Sequence, residues 1–105
     1  MEELVISCYE AIARASSNML AAAREADWQR LIEAEADCAR HVQELRRLGS
    51  GTAMSEAGRR RRVAILRQVL AEDAEVRALT QPWLAQLERH LHGRDVGRRV
   101  RDTYR

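Results

Sequence analysis

Apolar residues recur along this chain at alternating spacings of three and four, the mark of amphipathic helices. Over residues 2–25, Leu4, Cys8, Ile12, Ala15, Met19 and Ala22 form a single thin seam. Over 28–48, Trp28, Leu31, Ile32, Cys38, Val42 and Leu45 share one face, with Glu35 in its middle. The stretch 63–91 breaks the pattern by excess. Val63, Ile65, Leu66, Val69, Leu70, Val76, Leu79, Trp83, Leu84, Leu87 and Leu91, set about 100° apart per residue, cover an arc of roughly 200°. A helix in a small bundle needs an apolar stripe only a little wider than about 100°. The surplus calls for a cover, either further helices of this chain or a partner.

Punctuation residues divide the pattern. Asp27 before Trp28 is a good N-cap, its carboxylate accepting from the free amides of the next turn, and so short a joint folds the second helix back on the first. Arg46 and Arg47 suit the last turn of that helix, with Gly49 as its C-cap. Gly49, Ser50, Gly51 and Thr52 form a glycine-rich loop with no Lys-Ser or Lys-Thr after it, so it does not read as a phosphate cradle. Thr52 or Ser55 can cap the third helix. Pro82 lacks a backbone donor and clashes with the preceding turn, which predicts a kink or break near 78–81.

The expected fold is therefore all-α. It is an antiparallel three-helix bundle with helices over about 2–25, 28–48 and 55–92, the third long and kinked or broken near Pro82. A helical domain of residues 1–92 is followed by a short basic tail, 93–105, able to form a helical turn or two that presents Val100 and Tyr104. A hairpin between the second and third helices would set Trp28 opposite Val76 and Glu35 opposite Val69.

Composition narrows the function. One hundred and five residues suffice for one domain with a modest core. The chain has no Phe, and all 18 of its cationic side chains are Arg. Net charge is +2, with two Trp and two Tyr, too near neutral and too poor in aromatics to favour nucleic acid as partner. The four arginines at 59–62 lie in early turns of a helix, where the dipole disfavours them; with the arginine-rich tail, they keep a small basic helical nucleic-acid-binding protein as the alternative. Cys8 and Cys38 make no metal or disulfide pattern and read as buried thiols of a reducing compartment. An acidic start, Met1-Glu2-Glu3, argues against a secretory signal. The longest apolar run, 19–23, is far too short to span a membrane. A soluble, cytoplasmic protein is expected.

Two acids sit on apolar stripes, Glu35 on the second helix and Asp73 on the third. With Ser16, they are expected to form a polar layer that fixes register. A catalytic pair of carboxylates would need a cleft and a nucleophile, and the sequence offers neither. His41 lies off the stripe of its helix, and His90 and His92 suit a helix end. No enzyme activity, cofactor or metal is expected.

Taken in order, these residues resemble the FliT family of flagellar export chaperones. Ala26-Asp27-Trp28 with Leu31-Ile32 and Glu35 follows the family's W-x-x-L-[LI]-x-x-E pattern, and Val42 continues it. Leu70-x-x-Asp73 carries the acid usual in the family, followed by Arg77, Leu79, Leu84 and Leu87. Arg98, Val100 and Tyr104 resemble its closing motif, with Thr103 where Ala is usual, and the chain stops at Arg105 where longer members continue into a segment thought to restrain partner binding. The resemblance implies a cytoplasmic chaperone that escorts the filament-cap protein to the type III export gate. It implies further contacts with the export ATPase complex and, in some lineages, the flagellar master regulator.

On this view, one flank of the third helix closes the bundle and the other meets the client. Ile65, Val69, Val76, Leu79, Trp83 and Leu87 form one flank. The other, Val63, Leu66, Leu70, Arg77, Leu84 and Leu91, is the expected partner surface. The competing expectation buries both flanks inside the chain or in a homodimer.

Overall fold

The second helix starts where Asp27 can cap it. In the computed structural model, which describes residues 1–49 and 53–92 with side chains to residue 90, the Asp27 carboxylate accepts from the Arg30 amide at 3.1 Å. Ala26, at φ 55°, makes the left-handed step between the helices, a conformation that costs a residue with a Cβ about 1–2 kcal/mol. The elements are α1 Glu2–Arg24, α2 Trp28–Leu48 and α3 Glu56–His92. The described residues are all-α with no strand. Ser55 caps α3, its Oγ accepting from the Gly58 amide at 3.1 Å.

Helix α1 lies in the middle. Both α2 and α3 pack along it, yet no Cα of α2 comes within 8 Å of a Cα of α3 among the described residues. This differs from a bundle closed on all three sides. The seam of α1 explains it: Ala13, Ala15, Ala22 and Ala23 are all buried, and side chains this small let a neighbouring backbone approach. The expected α2–α3 hairpin, with Trp28 opposite Val76, gives way to a different pairing. Trp28 stacks on Trp83, ring centroids 4.8 Å apart and planes 28° apart.

Helix α3 runs parallel to α1, and side chains set the register. Glu10 faces Arg61 at 3.5 Å, Gln68 donates to Ser17 Oγ at 3.2 Å, and Arg24 donates to Glu75 at 2.9 Å. Each pair is 51 residues apart, and successive pairs advance by one heptad, the repeat of helices that stay in lateral contact. The Glu2 carboxylate also holds the start of α3 through the Ser55 amide and, at 3.0 Å, its hydroxyl. Gly58 is buried at this crossing; a Cβ there would lie 3.1 Å from the Glu2 carboxyl.

The core is small. Leu20, Ala23 and Val76 form its centre, with Met19 and Leu31 packed against them, and Ile65 is wholly enclosed. Helix α3 stays helical through Pro82, so the expected break is not present. Since Glu75 lies beside Arg24 at the end of α1, residues 77–92 extend past it, about 24 Å of helix. The expected helical tail and the boundary at residue 93 lie outside the described residues.

Candidate partner-binding surface

The two flanks of α3 have different environments. Ile65 and Val76 are buried against α1 and Val69 is half-buried. One or two residues away round the helix, Val63 is 41% exposed, Leu66 44% and Leu70 66%, and further along Leu84 is 51% exposed. Thus α1 covers one side of the apolar arc, and the side bearing Val63, Leu66, Leu70 and Leu84 faces outward. Arg77 lies on the same side, exposed, and pairs with the Asp73 carboxylate one turn below. The side chain of Leu91 lies outside the described ones.

Val63, Leu70, Arg77 and Leu84 repeat at intervals of seven, with Leu66 and Asp73 at the intermediate positions. From Val63 to Leu84 the stripe is about 32 Å long. An interval of seven falls about 20° short of two full turns, so the stripe winds slowly round α3. A helix laid along it would have to follow that slant, as in a left-handed coiled coil.

The overhanging end is different again. Leu79, Trp83 and Leu87 share a flank with Ile65 and Val76, but they are 38–39% exposed because α1 has ended beside Glu75. Trp83 is steadied by Trp28 at the start of α2. Ile32 on α2 and Leu4 on α1 are also exposed, at 61% and 57%, although both belong to apolar stripes in the sequence.

The expected polar layer is drawn differently in space. Ser16 is buried, whereas Glu35 is exposed and Asp73 is half-buried in its pair with Arg77. Glu35 and Asp73 nevertheless converge on one group. Burial raises the Cys38 thiol above its ordinary pKa, and the negative charges of Glu35 and Asp73 raise it further. A thiol held protonated in this way is a poor nucleophile. The well-bonded polar cluster is instead Ser17, Gln68 and Glu72. Ser17 Oγ donates to Glu72 Oε2 at 2.8 Å, and Gln68 Nε2 donates to Ser17 Oγ at 3.2 Å and Glu72 Oε1 at 3.1 Å. Its sequence signal was the parallel heptad spacing of 10, 17 and 24 with 61, 68 and 75, which an antiparallel pairing of α2 with α3 conceals.

The basic run at 59–62 is tied to its surroundings. Arg59 donates to the Met54 carbonyl at 3.0 Å, Arg60 pairs with Glu56 at 3.1 Å, and Arg61 with Glu10. Among the described residues no group of three or more His, Cys, Asp or Glu is placed to hold a metal ion. No described helix is long and apolar enough to cross a membrane.

Residues 6–105 match a family model described as flagellar protein FliT. Neither the comparison with curated proteins nor that with solved structures gives a match.

Proposed function

The chain belongs to the FliT family of flagellar proteins, and from that premise we propose that it is a cytoplasmic export chaperone for the filament-cap protein. The carrying observation is the outward flank of α3, with Val63, Leu66, Leu70 and Leu84 exposed while α1 covers the opposite flank at Ile65 and Val76. An amphipathic client helix would lay its apolar side along this stripe, as in other helix-in-groove complexes. Arg77 adds a cation for an acidic client residue, and Leu91 extends the stripe toward the end of α3.

The buried core and the client stripe are separate residues of one helix, so a client can bind without unfolding its carrier. On the carrier side the α1–α3 spacing is held by Ser17, Gln68 and Glu72, with Ser16 buried beside Ser17 in sequence. Pro82 leaves the Ala78 carbonyl without its usual helical donor, which would let α3 kink near residues 78–81 to follow a longer client. Delivery to the export ATPase complex and contact with the master regulator would use surfaces the client leaves free. Residues 93–105 are a separate basic tail.

The test is calorimetric titration with the C-terminal segment of the filament-cap protein. A Leu66→Ala/Leu70→Ala variant should bind at least about ten-fold more weakly, with its melting temperature nearly unchanged because both side chains are already in water. If the variant melts and binds as the parent does, the client lies elsewhere. If it melts far lower, these residues are core.

A further inference from the structure

At the end of the molecule away from the tryptophan pair, α1, the end of α2 and the start of α3 enclose a half-open cavity of ≈ 350 Å³. Val5, Tyr9, Leu45 and Met54 give it apolar walls, and Arg46 and Arg62 supply its charge. No carboxylate among the described residues lines it.

Of the neighbouring arginines, Arg47 pairs with Glu44, Arg60 with Glu56 and Arg61 with Glu10, while Arg59 donates to the Met54 carbonyl. Arg62 is half-buried, and among the described residues its guanidinium donates only to the Met54 sulfur, at 3.7 Å, a weak acceptor. Arg46 pairs with no carboxylate among the described residues. A guanidinium drawn out of water without an anion loses hydration and gains little in return. Its planar fork of donors suits a carboxylate. Two such groups over apolar walls fit a ligand with an apolar body and an adjacent carboxylate.

The position of Arg62 indicates where that ligand comes from. Arg62 and Leu66 are four residues apart on α3 and therefore neighbours on its surface, so the cavity adjoins the outward stripe. We propose that the cavity binds an acidic residue and its apolar neighbour at one end of the client helix, anchoring the helix in register on α3. This rests on the stripe being the client surface. The cavity contributes a charged stop at the Val63 end of a stripe whose own charges, Asp73 and Arg77, are paired with each other.

The experiment uses the full chain and the C-terminal segment of the filament-cap protein, either unaltered or with every Asp and Glu changed to Asn and Gln. Against the parent chain, neutralising the acids should weaken binding roughly ten-fold, the usual scale for a charge-assisted hydrogen bond. Against an Arg46→Gln/Arg62→Gln variant, the penalty for neutralising the acids should fall well below ten-fold, to the share that Arg77 contributes. Arg46→Gln alone changes an exposed residue and should reproduce part of the effect should the double variant fold poorly. The Leu66→Ala/Leu70→Ala variant should weaken both forms by the same factor. A parent chain that binds the segment but ignores its acids overturns this inference and leaves the client stripe standing. No binding of either form removes the stripe and this inference together. Binding of sodium decanoate in the cavity, with client affinity indifferent to its acids, would assign the site to a small amphiphile and overturn the inference.

Discussion

Arg24 holds Glu75 through a single nitrogen, Nη2 donating to both carboxylate oxygens at 2.9 and 3.0 Å. With Glu10–Arg61 two heptads below, it gives the α1–α3 seam an acid-to-base contact at one end and a base-to-acid contact at the other. A slip of one heptad would lose both. Arg24 and Glu75 are about half exposed, with side chains 58% and 47% accessible, so specificity should exceed strength. A double-mutant cycle with Arg24→Ala and Glu75→Ala should give a coupling of about 0.2–1 kcal/mol that shrinks in high salt. A coupling indifferent to salt would mean the pair acts through packing.

Neighbouring positions on α3 should respond oppositely to truncation. Ile65 is fully enclosed, and Ile65→Ala should cost about 2–5 kcal/mol, read from denaturant midpoints at unchanged m-value. Leu66→Ala, on the outward side, should stay within about 0.5 kcal/mol of the parent. Equal losses at the two positions would place a cover over Leu66, as a homodimer would.

The N-cap of α2 is held by a bond from the Arg30 amide to the Asp27 carboxylate. Asp27→Ala should lower stability by about 1 kcal/mol, and Asp27→Ser should restore most of it. Failure of Ser to rescue would show that the charge of Asp27 matters more than its acceptor.

Trp28 and Trp83 are the chain's two tryptophans, and their stacking gives the overhang of α3 an optical reporter. The parent should show a coupled near-ultraviolet dichroism band that disappears in either Trp28→Leu or Trp83→Leu, with a coupling of about 0.5–1.5 kcal/mol from the double-mutant cycle. Additive spectra from the two single variants would mean that the rings do not meet in solution.

The Cys38 thiol should alkylate slowly at mildly alkaline pH, since burial first and then Glu35 and Asp73 raise its pKa. In a Cys8→Ala background, Asp73→Asn should speed alkylation by removing a charge that opposes the thiolate. Folding favours the protonated thiol, so its contribution is full below the unfolded thiol's pKa and declines as pH rises through the raised folded value. Stability should therefore fall on the alkaline side, and less steeply in Asp73→Asn. An unchanged alkylation rate in that variant would place Asp73 too far from the sulfur to act on it.

Helix existence, the Asp27 cap and the excess apolar arc of α3 were legible in the sequence, because each depends on residues within a turn or two of one another. The order of Trp28, Leu31, Ile32, Glu35 and Asp73 likewise carried the family. What the sequence left open was which helix lies beside which. Stripes on α1, α2 and α3 are compatible with α3 lying against α2 or against α1, since periodicity gives the direction of a face and not its neighbour. Side-chain pairing across α1 and α3 decided it: Glu10 with Arg61, Ser17 with Gln68 and Glu72, and Arg24 with Glu75. That choice put Ile65 and Val76 inside, left Leu66 and Leu70 exposed, moved Glu35 out of the expected layer and left Arg62 half-buried without an acid among the described residues. Local spacing specified the helices, while contacts between residues some 51 positions apart determined which apolar face remained open to a partner.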